Sequence, residues 1–528
     1  MVLENGNKLL RYAAEFDPTR PIFSNLGSVF LDSQGGGKID LGKIYEPITS
    51  QISPFESHKF RLGYPVSQRT YNMLANYCSS KESKLISDGI HGNKSFWERY
   101  NYLKDEVGGK VLVDGIGSPV FGDIAGQLEA SKPYSSFQDY KDVQKFVAEL
   151  NLVLKDKDLK MWKDALAFMA AADEITTSAM KQHIEALLIN PQISGYIIEN
   201  WGDYGMHFTG LANWQRQPKK ALIQVLSQIN RPIHIFAEAE DRTPYIGSSA
   251  SIKIHLINEA QLGDYSVQFK VKGPSGRVLH QETVNGKAKP GYNSVGRFKF
   301  PVGMERGRFT FDLTLTRQGK EVGKVEEQFF VPAEVKLDVL LKKVSLLGNF
   351  HDTVSYSTVH DTPITVASDL TDVTEDTLKK ALARAFEGGT LILGAMGEED
   401  VKKWNSLKAF GTDLICFRST GATPGNFHYM KESSAFKDLP TVGLLDQMYS
   451  EVQPHWSLDH LPTSEVIAGS LNINGTAGAK SKIRWGADIA LAPYGKGKVI
   501  FYQYDIFGKL GKNALADALF ANLIQQLT

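Results

Sequence analysis

The stretch that decides how this chain is read is ISGYIIENWGDYGMHFTGLANWQRQPKKAL, residues 193–222. It opens as a short strand, and the two-residue alternation of strand side chains puts Gly195, Ile197, Glu199 and Trp201 on one face. A polar, aromatic, glycine-broken loop follows, carrying Glu199, Asn200, Trp201, Asp203, Tyr204, His207 and Trp214. Indoles and carboxylates at a strand end suit a pyranose. The rings cover the apolar face of the sugar, and the carboxylates hold its hydroxyls or act on the glycosidic bond.

The spacing is more specific than the composition. Gly195, Tyr196 and Asp203 form G-Y-x-x-x-x-x-x-D, and Gly210, Leu211, Arg216, Pro218 and Lys219 form G-L-x-x-x-x-R-x-P-K ahead of a helix. This resembles the last barrel strand of glycoside hydrolase family 2, the family of β-galactosidases, β-glucuronidases and β-mannosidases. A second segment fits the same resemblance: a helix over NKLLRYAAEF ends in Asp17-Pro18-Thr19-Arg20-Pro21. In the family a D-P-T-R-P follows the strand that carries the acid/base carboxylate. The resemblance therefore implies Glu4 as acid/base, although Leu3 stands where the family has asparagine. It also implies that residues 1–230 are the C-terminal half of a (β/α)8 TIM barrel, so that the chain is part of a longer enzyme.

The other expected site residues follow from the same comparison. Lys84–Gly89 is expected as the seventh strand, with Asp88 where the family has its nucleophilic glutamate. Residues 92–192 are expected as a long loop and helices, with Ala165–Leu188 the clearest helix. Tyr45, His58 and Tyr64, with Glu199, Trp201, Asp203 and Trp214, are the candidate substrate contacts. A retaining glycosidase holds its two carboxyl groups about 5–5.5 Å apart. Aspartate is shorter than glutamate by one C–C bond, which widens the gap by roughly 1–1.5 Å. Retention by an inward-moved backbone, inversion through a water, and binding without cleavage all remain open. The implied substrate is an oligosaccharide or polysaccharide-derived β-glycoside, β-galactoside by default, with a catalytically inactive carbohydrate-binding homologue as the alternative.

Composition narrows the field further. In 528 residues, 59 lysines and arginines balance 59 aspartates and glutamates, so no charge excess points to nucleic acid. No run approaches the 18 or so apolar residues of a membrane-spanning helix. Cys78 and Cys416 are too few and too far apart for a disulfide framework or a metal-binding motif, and no cofactor or metal is expected. A homo-oligomer is compatible with all of this, and no cellular location is indicated.

Beyond Arg231 the texture changes. Ala250–Ile257, Tyr265–Val271 and Arg308–Thr316 alternate apolar and polar residues, with Phe309, Phe311, Leu313 and Leu315 on one face. Residues 231–333 are expected as an immunoglobulin-like β-sandwich. From 334 to 528 strands and helices alternate: Ile364–Ala367, a helix capped by Thr374, Thr390–Gly394, Val499–Gln503 and a final helix over Asn513–Gln526. This rhythm predicts a flavodoxin-like α/β domain. It resembles the glutamine-amidotransferase-like domains appended to some glycosidases, without their catalytic triad, since Cys416 lies within a strand.

Overall fold

The computed structural model describes residues 56–57, 66–75, 111–116, 120–191, 193–198, 200–203, 207–260, 262–348, 350, 362–418, 424–440, 443–462, 464–474 and 482–527. It combines helices with several β-sheets.

The first part is built on three parallel strands in the order β1 (Glu56–Ser57), β2 (Val111–Ile116) and β3 (Ile193–Ile198). Around them lie α1 (Gln68–Ala75), α2 (Ile124–Ala130), α3 (Gln138–Asp156), α4 (Ala165–Leu188) and α5 (Lys220–Ile229). The long helix α4 has the bounds its apolar spacing predicts. Asp164 caps it, accepting from the Ala167 amide at 2.9 Å and satisfying one of the free donors of the first turn. Met180, Ile184 and Leu187 pack against Leu222, Leu226 and Ile229 of α5, and so hold α5 behind β3.

One expectation needs correction. The strand hydrogen-bonded to β3 is Val111–Ile116, inside the stretch expected as loop and helix. Its six residues include Asp114 and Gly115, which depress the strand signal. Opposite Tyr196 and Ile198 stand Val113 and Ile116, so β2 carries one extra residue there, a bulge at Asp114–Gly115. Lys84–Gly89 lies outside the described residues.

The second part consists of two antiparallel sheets facing one core. The first joins β4 (Ile233–Ala239), β5 (Ser249–Asn258) and β8 (Gly291–Pro301). The other runs in the order β10 (Lys320–Val331), β9 (Gly307–Arg317), β6 (Gly263–Lys272) and β7 (Val278–Ala288). Phe309, Phe311, Leu313 and Leu315 are all fully buried, as their alternation predicts, and meet Ile252, Ile254 and Phe300 of the facing sheet.

The third part is a nine-stranded mixed sheet. β11 (Val344–Gly348), β12 (Ile364–Ser368), β13 (Thr390–Gly394) and β19 (Gly497–Tyr502) are parallel. α6 (Glu375–Phe386) links β12 to β13, with Thr374 accepting from the Thr377 amide at its N-terminus. α7 (Glu398–Ser406) follows β13, and α8 (Ala514–Leu527) ends the fold. The remaining half departs from the expected alternation. β14 (Ile415–Arg418), β15 (Pro424–Met430), β16 (Trp456–Asp459), β17 (Glu465–Asn474) and β18 (Lys482–Tyr494) pair antiparallel.

The three parts are joined by packing and by charge. Phe427 and Tyr429 of β15 and Leu471 and Ile473 of β17 share a core with Phe121, Phe146 and Phe168. Lys181 of α4 pairs with Glu327 of β10 at 2.9 Å, and Arg308 of β9 with Asp446 at 3.4 Å. The Tyr245 hydroxyl donates to Asp517 of α8 at 2.9 Å. Among the described residues no helix is long and apolar enough to cross a membrane.

Candidate functional site

The chain leaves β3 through Asn200, whose φ of 66° lies in the left-handed region that asparagine tolerates better than most residues. This turn leads into an irregular hairpin loop, in which Gly202 forms a parallel bridge with Ala212 and Ala212 pairs antiparallel with Pro218. The Trp201 carbonyl accepts from the Ala212 amide at 3.0 Å, and the Asp203 amide donates to the Ala212 carbonyl at 2.9 Å. The far end closes on Asn213, whose side-chain oxygen accepts from the amides of Gln215 (3.0 Å) and Gln217 (2.9 Å). Arg216 sits at φ 64° within that turn. Gly210 is required by close approach: a Cβ there would stand 2.4 Å from the Asp203 nitrogen.

Beneath the hairpin lies a buried charged base. Lys219 Nζ donates to Asp203 Oδ1 at 2.7 Å, to the Phe208 carbonyl at 2.8 Å and to the Val120 carbonyl at 2.5 Å. The two side chains are 1% and 0% exposed, so this ion pair has no access to solvent. Asp203 Oδ1 also accepts from the Gly210 amide at 2.9 Å. Next to it Asp173 of α4 accepts from the amides of Phe121 (2.6 Å) and Gly122 (2.7 Å). Burial pushes Asp173 up to about 7, against the pull of those two amides. It pushes Asp203 up to about 6, opposed by the Lys219 ammonium. Burial also lowers Lys219, opposed in turn by Asp203.

Above this base the loop carries one exposed ring and, beneath it, a largely buried polar cluster. Trp201 is 71% exposed, an indole standing clear at the C-terminal end of a parallel strand. Asn200, His207 and Thr209 form a polar trio: the Asn200 amide donates to Thr209 Oγ1 at 2.8 Å, and His207 Nδ1 lies 2.8 Å from the same hydroxyl.

Three of the sequence-predicted site residues therefore share one hairpin: Trp201, Asp203 and Trp214. They do different things there. Trp201 faces outward. Trp214 is half-buried against the core that contains Phe121 and Phe208. Asp203, expected to accept a sugar hydroxyl, is enclosed: its Oδ1 is taken up by Lys219 and the Gly210 amide, and its Oδ2 is buried without a partner among the described residues. Its visible work is to hold the hairpin. Glu4, Tyr45, His58, Tyr64, Asp88 and Glu199 lie outside the described residues. Sequence reasoning gave Lys219 a motif position but no role, and it overlooked Asp173 altogether. The available signal for the latter was an aspartate following the apolar run 165–172 of the helix, since buried carboxylates are rare without partners. No group of three or more metal-ligating side chains occurs among the described residues.

No protein-family model matches the chain, and no curated protein does. Partial likenesses to solved structures include glycoside hydrolases. A β-glucuronidase of Parabacteroides merdae is 13% identical with a TM-score of 0.17, over 33% of this chain and 23% of that one. A putative β-galactosidase of Bacteroides fragilis is 11% identical with a TM-score of 0.16, over 33% and 27%. The C-terminal domain of wzt is 9% identical with a TM-score of 0.16, over 20% and 75%. The chain thus spans about a quarter of the length of the two glycosidases.

Proposed function

We propose that the chain is part of a glycoside hydrolase of family 2 type that acts on a terminal β-glycosidic bond, β-galactoside by default. The observation that carries this reading is Trp201, a largely exposed indole on a rigid hairpin at the C-terminal end of a parallel strand. In eight-fold barrels that end of the strands holds the active site. In this reading β1, β2 and β3 belong to the C-terminal half of the barrel. The two antiparallel sheets are an immunoglobulin-like domain, and the mixed sheet is an amidotransferase-like domain without a triad. Glu4 is the acid/base, Asp88 the nucleophile, and Tyr45, His58, Tyr64, Glu199 and Trp201 contact the sugar. Asp203 positions the hairpin.

A second reading, a homologue that binds carbohydrate without cleaving it, is favoured by the pairing of β2 with β3. Among the described residues the strand adjoining β3 carries Asp114, within a bulge. If the nucleophile belongs on that strand, it is Asp114 or it is missing.

The test is hydrolysis of an activated aryl β-galactoside by the full-length enzyme, alongside Glu4→Gln, Asp88→Asn, Asp114→Asn and Trp201→Ala. An activated leaving group needs little protonation, so Glu4→Gln retains activity while loss of the nucleophile abolishes it. Equal loss from Glu4→Gln and Asp88→Asn rules out those two roles. Sugar binding with no turnover in the wild type selects the second reading, and Trp201→Ala indistinguishable from wild type in both binding and turnover refutes both.

A further inference from the structure

Two aromatic side chains next to this hairpin are exposed beyond anything the fold needs. Tyr134 is 59% exposed and Phe137 63%, with ring centroids 5.9 Å apart and planes within 9° of parallel. Single exposed rings are common. Two contiguous rings stacked parallel leave an apolar patch in water, and contiguous apolar patches mark interaction surfaces.

The turn that carries them is closed by its own backbone. The Tyr134 amide donates to the Ser131 carbonyl at 2.8 Å, Ser135 to Lys132 at 3.1 Å, and Phe137 to Tyr134 at 2.9 Å. The backbone that carries the rings is therefore set before any ligand arrives, which lowers the cost of ordering this turn on binding. The same turn is tied to the candidate site: Gln215 Nε2 donates to Ser131 Oγ at 3.0 Å. Gln215 lies in the Asn213 turn, and Ala212, which precedes that turn, donates its amide to the Trp201 carbonyl.

We infer that Tyr134 and Phe137 form an aromatic platform for a glycan chain, a subsite beyond the sugar at Trp201; this rests on the carbohydrate reading above. A pyranose offers an apolar C–H face that fits the electron-rich face of a ring, with hydroxyls around its edge. Here Ser135, Ser136 and Gln138 are exposed beside the rings and supply hydroxyl and amide partners for those hydroxyls. A protein interface would instead want an apolar centre closed off from water. Rings interleaved with exposed serines favour the sugar.

The experiment is affinity electrophoresis of the full chain through gels containing soluble β-linked galactan, glucan, xylan or mannan. The retarding polymer's own monosaccharide is then titrated by calorimetry. The variants are Tyr134→Ala/Phe137→Ala, Tyr134→Phe and Trp201→Ala. The platform predicts that the double variant loses affinity for the retarding polymer by about tenfold, from two ring contacts. It also predicts unchanged monosaccharide binding, and retention of polymer binding in Tyr134→Phe. Polymer binding unchanged in the double variant overturns the platform and leaves the Trp201 site standing. Loss in the double variant with no effect of Trp201→Ala on either ligand supports the platform and overturns the reading of Trp201. No retardation of the wild type by any polymer overturns both. A change of oligomeric state in the double variant, with retardation intact, makes the patch a protein contact and overturns the platform.

Discussion

The buried pair under the hairpin makes a quantitative prediction through Lys219→Met. Methionine fills much of the lysine volume but removes three donated hydrogen bonds, to Asp203 Oδ1, Val120 O and Phe208 O. It leaves a carboxylate with no solvent access facing only the Gly210 amide. Breaking a buried pair by removing one partner costs about 3–5 kcal/mol. Each stranded carbonyl adds about 1–3 kcal/mol unless it relaxes toward another donor. Protonation of Asp203, already pushed up to about 6, offsets part of this at neutral pH. A net loss of about 3–5 kcal/mol is expected, felt locally. A chain of several parts does not unfold in one step, so the assay is amide hydrogen exchange read by mass spectrometry on peptides covering 200–222. Protection there should fall by about two to four orders of magnitude, while peptides from β5 and β9 keep theirs. Asp203→Asn/Lys219→Met removes the stranded charge and should recover part of the loss, with a coupling of about 1–3 kcal/mol. A loss below about 1 kcal/mol for Lys219→Met, or strict additivity in the cycle, would refute the claim that this pair holds the hairpin.

Further outcomes follow from the same region and its neighbours. Asp173 is raised to about 7 from an ordinary 3.8, so its protonated form is favoured in the fold. Its contribution to stability is full below the ordinary value and is lost as pH rises through about 7. Protection of the 200–222 amides, corrected for intrinsic exchange, should therefore fall between pH 4 and 7, and Asp173→Asn should flatten that slope. Gly210→Ala pushes a methyl to within 2.4 Å of the Asp203 nitrogen and should cost about 1–3 kcal/mol. Gly508→Ala, which meets nothing within 4 Å, should be near neutral in thermal melts of the same protein. Lys181→Met leaves the enclosed Glu327 with Arg242 at 3.4 Å as its remaining ion pair. Limited proteolysis should then cut the connection between α5 and β4 sooner than in the wild type.

What the sequence revealed depended on how far each signal is local. The sandwich was legible because Phe309, Phe311, Leu313 and Leu315 report burial through spacing alone. Helix α4 was legible from its apolar residues, and α6 from its Thr374 cap. β2 was not, because VLVDGI is short, holds a glycine and an aspartate, and becomes a strand only by pairing with β1 and β3. The antiparallel half of the nine-stranded sheet escaped for a similar reason, since long-range pairings such as His428 with Ser470 leave no local periodicity. At the candidate site Trp201 could be read as a surface aromatic. The enclosure of Asp203 could not, since it depends on Val120, Phe208 and Lys219 arriving from separate segments.

These observations combine into one physical account of the hairpin. A loop that leaves a strand at a left-handed asparagine and returns through a left-handed arginine has little intrinsic preference for its shape. Something must over-determine it. The ammonium of Lys219 does so by gathering three acceptors from three segments, and Asp203 adds the Gly210 amide, so the backbone beneath Trp201 is fixed before a ligand arrives. Fixing the base holds the backbone that carries the exposed ring, and affinity gained by such pre-ordering needs no further contacts. The same logic runs through Gln215 and Ser131 to the turn that sets Tyr134 and Phe137 parallel. Asp203, which looks like a ligand contact in the sequence, spends its Oδ1 on rigidity, and in the proposed reading the exposed rings are left for recognition. A carbohydrate is the ligand class that such a division of labour suits, because its apolar faces need flat, immobile partners and its hydroxyls can be met by serines at the rim.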